Sequence, residues 1–403
     1  MHVSNGLFLP EVKEDKCTHC GLCLECCPGA SLDFAGLNLR VFGKKHEDTL
    51  LGYYFRCYLG YSNDDGIRYN SSSGGLVTQL LVFALENGFI DGALVTRMRK
   101  DHPLIPESFI ARTRDEIVSA SKSKYCPTPA NEALKFILKE KGKFAVVGLP
   151  CQIHGIRKAE NNVRALKEKI ALHIGIMCSH TVSFYGTNFL LRKLGFSWEH
   201  IAEIAYRGNG WPGSMLIRLK DGSGMSVPYV GCWNAYQPVF SCFFFTPRRC
   251  LMCFDETNEL ADISCGDAWF PELKNDSKGA SIAVARTMKG KEILNMASSK
   301  GALFLRPLDC ERVKRSQTEP LKFKKDDIEA RLAVFEASGH KIPEFNPLRF
   351  SSHSRSFSSF ARNFFVFLNV RLSEKRTFEK MLLGVPFPLF RLYYGIYKFL
   401  SQT

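Results

Sequence analysis

The segment Cys17-Thr-His-Cys20-Gly-Leu-Cys23-Leu-Glu-Cys26-Cys27-Pro28 sets four thiols at Cys-x2-Cys-x2-Cys-x3-Cys-Pro spacing. This is the ligand run of a bacterial-type iron–sulfur loop. Three thiolates two residues apart can wrap one face of a cubane, and Gly21 lets the backbone approach the inorganic sulfides. A structural zinc site more often shows two separated Cys-x2-Cys pairs. The chemistry expected of residues 17–28 is one-electron transfer.

A second constellation is dispersed. Cys250 and Cys253 form a Cys-x2-Cys pair that alone suits zinc, a redox dithiol or half of a cluster site. Cys151 and Cys178 each follow an apolar run, in VGLPC and IGIMC. Two such thiols and one pair make four ligands, enough for a second [4Fe–4S] cluster. Burial as core thiols is the competing reading of Cys151 and Cys178.

The elements that must position these thiols follow from periodicity. LVTQLLVFALENG, after the turn Asn70-Ser71-Ser72-Ser73-Gly74-Gly75, has helical apolar spacing and a terminal Gly88. IDGALVTR, FAVVGLP and IALHIGIMC read as buried strands, with a helix near 130–141 between the first two. Strands alternating with helices predict an α/β core with a largely parallel sheet. Sites in such sheets form beyond the carboxyl ends of the strands, where Cys151 and Cys178 fall. Residues 200–235 read as antiparallel strands with an Asp221-Gly222 hairpin turn. KGKEILNMASSKG is helical, and the Pro/Ser-rich stretch 342–360 reads as a linker.

The chain has 403 residues, 45% of them hydrophobic, enough for two or three domains with a large core. The opening MHVSNGLFLPEVKED carries neither a basic n-region nor an apolar h-region, and fifteen cysteines suit a reducing cytoplasm. The net charge is +14, and residues 345–403 supply +7 of it, nine Lys/Arg against two Asp/Glu. That segment interleaves cations with aromatics, in FARNFFVFLNVRL and FPLFRLYYGIYKFL. Such helices can lie peripherally on a membrane, enter a partner groove, or pack on the core. No recognition motif supports nucleic-acid binding.

The order of blocks carries a resemblance. After the cysteine run come NSSSGGLVTQLL, ALENGFIDGALV, SKY (123–125), VGLPCQIHGIRK (147–158), IGIMCSH (174–180), YRGNGWPG (206–213), CLMC (250–253) and ADISCGDAW (261–269). Together, over about residues 12–310, they resemble the coenzyme F420 hydrogenase/dehydrogenase beta-subunit family, including members encoded beside bacterial polysaccharide-synthesis genes. The resemblance implies an iron–sulfur flavoprotein oxidoreductase. Its fold would be α/β with α+β elements. A ferredoxin-like 4Fe-4S domain with its connector (1–60) would precede an α/β flavin- and cluster-binding domain (61–340). A helical, basic, aromatic tail (341–403) would follow.

It further implies FAD or another flavin and, here, two [4Fe–4S] clusters. Cys151, Cys178, Cys250 and Cys253 would ligate the second. Cys17, Cys20 and Cys23 would ligate the first, with either Cys27 or Cys57 as the fourth. The Cys before Pro ligates the other cluster in two-cluster ferredoxins, and this chain has no second such run. Cys26 and Cys265 read as packing.

The same blocks supply candidate flavin groups: Ser72, Ser73, Gly74 and Gly75 as phosphate donors at a helix start, with Ser73 as N-cap the plainer alternative. Lys124 and Tyr125 offer a cation and an aromatic face, Arg207, Asn209 and Trp211 a clamp. Asp267 is read as an acceptor or proton carrier, and Asp262 as a cap. His154 and His180 are candidate proton relays, because imidazole titrates near neutrality. The expected function passes electrons from ferredoxin or another one-electron donor, through clusters and flavin, to F420 or another small organic acceptor. The alternative is an electron-transfer subunit that docks to a catalytic partner and has no substrate site of its own.

Overall fold

A computed structural model describes residues 1–44, 48–230, 236–346 and 357–402. Its centre is an eight-stranded sheet, whose strands we number in chain order. They are β1 (Arg56–Ser62), β2 (Gly92–Met98), β3 (Pro106–Ala111), β4 (Phe144–Gly148), β5 (Ile170–Ile176), β6 (Ile263–Asp267), β7 (Ser281–Ala285) and β8 (Leu303–Leu308). The spatial order is β8-β1-β7-β6-β5-β4-β2-β3. Strands β2, β4, β5 and β6 pair in parallel, and β1 runs the same way because it is antiparallel to β7, which is antiparallel to β6.

Both faces of the sheet are covered, so its central strands are apolar runs rather than alternating ones. Successive side chains still go to opposite cores. Ala93, Val95, Ala145, Leu172 and Ile174 pack with helix α1 (Leu76–Glu86), whereas Leu94, Phe144, Val146 and Ile170 pack with helix α2 (Pro150–Asn162). Arg286 is fully buried and donates to Leu51 O, Tyr53 O, Ser264 Oγ and both oxygens of Thr257, which staples the connector before β1 to the sheet.

The N-terminal segment shares this core. Leu32, Phe34 and Leu37 pack with Ile153, Ile156 and Phe254, and Ser31–Asp33 pairs in parallel with Glu344–Asn346. The expected division at residue 60 falls inside β1, which bonds to β7 and β8. The antiparallel structure expected in 200–235 is present as three strands, Ile201–Ala205, Ser214–Leu219 and Gly224–Pro228, with Gly222 at φ +86° in the turn.

The tail is helical over Phe357–Ser373, Arg376–Gly384 and Phe387–Gln402. Val366, Phe367 and Val370 pack on Phe323 and Phe335, and Leu382 and Phe390 join Phe189 and Phe244. One side of the tail is thus ordinary core. Of the expected linker, residues 347–356 lie outside the described residues. Among the described residues, no helix is long and apolar enough to cross a membrane.

Candidate redox site

One edge of the sheet collects the chemistry. β1, β4, β5 and β6 end there and β7 begins there, so the loops after Ser62, Gly148, Ile176 and Asp267 and the loop before Ser281 converge.

The turn at 72–75 belongs to this edge, and its serines bond to neighbouring loops. Ser72 Oγ accepts from Ser123 N–H (2.8 Å), Ser73 Oγ donates to Ala280 O (2.7 Å), and Ser281 Oγ donates to Ser73 O (2.5 Å). Ser73 is therefore not the N-cap of α1. That place is taken by Gly75, at φ +70° and with no side-chain cap. The hydroxyls tie loops together. Gly74 is obligatory: at φ +59°, a Cβ would lie 2.9 Å from Ala280 Cα and Ser281 N.

Beside this turn stands an aromatic cage around Arg207. The residue is 1% exposed. It donates to Asp267 Oδ2 (2.5 Å), Pro212 O (2.8 Å) and the Tyr125 hydroxyl (3.3 Å). Its guanidinium lies 4.3 Å from the Tyr229 ring centre, 5.1 Å from Trp211 and 5.4 Å from Trp269. Burial opposes the charge, but Asp267 and the phenols of Tyr125 and Tyr229 outweigh it and hold the guanidinium protonated. Its Nη2 is buried with no hydrogen-bond partner among the described residues, so one donor of the cage remains for a ligand.

Trp211 and Trp269 lie 4.5 Å apart, and Gly279 passes so close to Trp211 that a Cβ would sit 2.9 Å from it. Asn209 is exposed at φ +57° in the turn that presents Trp211. Lys124 Nζ donates to the carbonyls of Ala120, Ser121 and Lys122, and burial pushes its pKa down to about 7. Sequence reasoning misses Tyr229 and Trp269. Trp269 sits in the ADISCGDAW block, but Tyr229 follows an ordinary strand.

The four dispersed thiols form one electrostatic neighbourhood. Burial pushes Cys151 up to about 12, with Cys253 and Cys250 adding to the effect. Cys178 is raised well above the ordinary thiol range by burial and by Cys250, Cys151 and Cys253. Lys324 opposes the rise at Cys151, Cys178 and Cys250. This lysine is 1% exposed, stands in a π-turn closed by Asp327 N–H on Lys322 O, and donates to Cys250 O (3.0 Å). A buried cation facing three desolvated thiols suits a thiolate-ligated cluster of net negative charge. Among the described residues, no group of three or more His, Cys, Asp or Glu is arranged to hold a single metal ion.

The first run lies on the surface. Cys20, Cys23 and Cys27 are exposed and Cys17 is half-buried. The Leu22 N–H and the Thr18 hydroxyl lower the pKa of Cys20. Gly21 takes φ +74° between Cys20 and Cys23. Cys27 Sγ accepts from Gly29 N–H (3.3 Å). Cys26 packs beside the core of α2, as expected, and Cys265 lies within the core. Cys57 is placed elsewhere: it is 2% exposed on β1, burial raises it to about 12, and its influential neighbours are Arg286, Cys310, Asp48 and Asp309. None of those belongs to the 17–27 loop.

Two cations join the surface run to the dispersed set. Arg249, next to Cys250, donates to Pro28 O (2.7 Å), and Lys158 donates to Cys27 O (3.0 Å) and Ser31 O. Gly155 and Lys158 lie on α2, the helix that begins at Pro150-Cys151, and a Cβ on Gly155 would come 3.6 Å from Pro28 Cδ.

The histidines behave differently from expectation. His154 Nε2 is paired with Asp255 Oδ2 (2.8 Å) between Phe34 and Phe254, inside the core. His180 is pushed down to about 3 by burial and by Lys324. Its Nδ1 is 3.1 Å from Ser179 Oγ and its ring stacks on Phe243. Asp262 is not a cap but the hub of a buried network. It accepts from His173 N–H (2.8 Å) and the Thr287 hydroxyl (3.0 Å), and it pairs with His173 Nδ1 (3.0 Å) and Lys289 (2.9 Å).

Two models of one family match the chain. The N-terminal model of the coenzyme F420 hydrogenase/dehydrogenase beta subunit covers residues 57–135, and its C-terminal model covers 141–311. The beta subunit of the coenzyme F420 hydrogenase of Methanosarcina barkeri is 30% identical over 293 residues, covering 70% of this chain and 91% of that protein. Its counterpart in Methanothermobacter thermautotrophicus is 29% identical over 301 residues, covering 73% and 99%. A coenzyme F420-dependent sulfite reductase of Methanocaldococcus jannaschii is 28% identical over 327 residues, 77% of this chain but 45% of that protein. Among solved structures, a chain of the F420-reducing [NiFe] hydrogenase complex from M. barkeri superposes with TM-score 0.57 at 25% identity, covering 74% of this chain and 98% of that one.

Proposed function

Because the chain belongs to the coenzyme F420 hydrogenase/dehydrogenase beta-subunit family, we propose that it is an iron–sulfur flavoprotein oxidoreductase. It would take electrons singly at residues 17–27 and deliver them in pairs to a small organic acceptor at the Arg207 cage. Two [4Fe–4S] clusters would supply one-electron carriage, and a flavin would supply the exchange between single electrons and hydride. The observation that carries this reading is the continuity of the three parts. An exposed thiol run is tied by Arg249 and Lys158 to a half-buried four-thiol set. That set and the cage share one sheet edge.

The chain's own residues have separable tasks. Cys17, Cys20, Cys23 and Cys27 would hold the exposed cluster, within reach of ferredoxin or another donor. Cys151, Cys178, Cys250 and Cys253 would hold the buried one, with Lys324 offsetting its charge. Arg207 Nη2 would donate to a flavin or an anionic acceptor, while Trp211, Trp269 and Tyr229 flank a planar ring and exclude water. Ser72 and Ser73 would set the loop positions, and Lys124 would supply a cation or a proton nearby. The acceptor would be F420 or another small molecule, polysaccharide precursors included, and the setting the cytoplasm.

Anaerobic quantification of iron, sulfide and flavin tests the proposal. About eight irons and one flavin per chain are expected from two cubanes, and Cys250→Ser should remove about half the iron. About four irons without flavin would refute it. A second reading, electron transfer to a docked catalytic partner, is favoured by the solved relative being part of a hydrogenase complex. It predicts flavin and iron but no turnover of any small acceptor by the isolated chain.

A further inference from the structure

The last helix, Phe387–Gln402, is apolar on more of its circumference than its packing uses. Phe390 is buried, and Tyr393 and Tyr397 pack beside it on the two cores beneath. Leu389, Leu392, Ile396 and Phe399 are instead 51%, 64%, 50% and 67% exposed. Their spacing of three, four and three residues puts them in one stripe, about 80° wide at 100° per residue. A soluble helix normally turns charged residues outward on such a face.

Charge identifies what would cover this stripe. Arg371, Lys375, Arg376, Lys380, Arg391 and Lys398 are all exposed on the tail helices. The only two carboxylates of 357–402 are engaged: Glu374 with Arg248, and Glu379 with Arg192 and Asn188. The stripe lies between the core-facing rings on one side and Arg391 and Lys398 on the other. Exposed leucine, isoleucine and phenylalanine beside uncompensated cations, on a helix too short to span a bilayer, suit the headgroup boundary of an anionic membrane. The segment lies beyond the family match at residue 311, so the feature is additional to the redox domain.

We propose that the helix Phe387–Gln402 docks the protein onto an anionic lipid surface. Leu389, Leu392, Ile396 and Phe399 enter the acyl boundary, and the tail cations meet the lipid phosphates. The protein would then work at a membrane face, independently of which acceptor it reduces.

The test is flotation of the full-length protein, purified anaerobically with its cofactors, with phosphatidylcholine vesicles with and without phosphatidylglycerol. Binding is expected only when phosphatidylglycerol is present, and it should fall with added salt. Leu392→Glu with Ile396→Glu should weaken it at least about tenfold, with melting temperature and iron content unchanged. Arg391→Glu with Lys398→Glu should weaken it about fivefold or more per charge removed; this second pair leaves the apolar face intact should the first disturb folding. Absence of wild-type flotation overturns the proposal. So does flotation of both double variants at the wild-type level, or conversion of a dimer to a monomer by the Leu392/Ile396 pair with flotation retained, which would assign the face to a second copy of the chain.

Discussion

The ion pair at the heart of the cage allows a sharp energetic test. Arg207 is 1% exposed, while the Asp267 side chain keeps 26% of its surface. Removing one partner of a buried pair costs about 3–5 kcal/mol when the survivor is left desolvated. The two single deletions should therefore differ. Arg207→Met frees an aspartate that can still reach water, and its cost should fall to about 2–3 kcal/mol. Asp267→Asn leaves a guanidinium with only Pro212 O, the Tyr125 hydroxyl and three ring faces. Those neutral partners do not replace a counter-charge, so about 4 kcal/mol is expected. Urea unfolding followed by circular dichroism, with cofactor content matched between variants, reads the difference. With a slope of about 1–3 kcal/mol per molar urea, the difference of about 1–2 kcal/mol means that Asp267→Asn should unfold at least about 0.3 M earlier than Arg207→Met. The double variant should cost less than the sum of the two singles, because the pair is lost only once. Equal midpoints, or a larger loss for Arg207→Met, would show that the cage does not desolvate its arginine and that the reasoning fails.

Two further outcomes follow from other parts of the molecule. Cys27→Ser should remove iron from the surface site, whereas Cys57→Ser, a core change beside Cys310, should leave iron content unaltered; the reverse result would restore Cys57 as a ligand. Asp262 is opposed by burial, but His173, Arg157 and Lys289 hold its carboxyl well below the usual range. Its folded-state pKa is depressed, so its stabilisation is present above the unfolded value of about 3.9 and lost as pH falls below it. The cost of Asp262→Asn should be greatest at neutral pH and shrink between about pH 5 and 3. Parallel stability curves for the two proteins over that range would contradict the assignment.

Sequence patterning located the strands well because the sheet is buried on both faces, and such strands leave uninterrupted runs like FAVVG and IALHIGI. It located Cys151 and Cys178 for the same reason, since both follow the ends of those runs. Four features resisted it. Local pattern cannot show that Ser72 and Ser73 bond to loops 51 and 207 residues away, so a tertiary fastening at Ser73 looked like a cap. KFKKDD at 322–327 looks like a solvated charge run, yet Lys324 and Lys325 are buried, because a π-turn directs them inward to Cys250 O and Glu259. His180 carried no hint of its depressed basicity, which comes from burial and a lysine 144 residues further along. The N-terminal run looked self-contained, but its hydrophobic residues complete the core of α2.

Helix α2 has an arithmetic consequence. It starts at Pro150-Cys151 and holds the surface run through Gly155 and Lys158. From Cys151 to Lys158 is seven residues, about 10 Å of axial rise and nearly two full turns. The helix is thus a ruler between the two thiol sets, and its calibration is counted in whole residues. A single insertion between 151 and 158 would swing Lys158 by about 100° and lengthen the gap by about 1.5 Å. Side chains along this stretch can drift over generations while its length cannot, so natural insertions in relatives should collect in the loops on either side and leave these seven steps untouched.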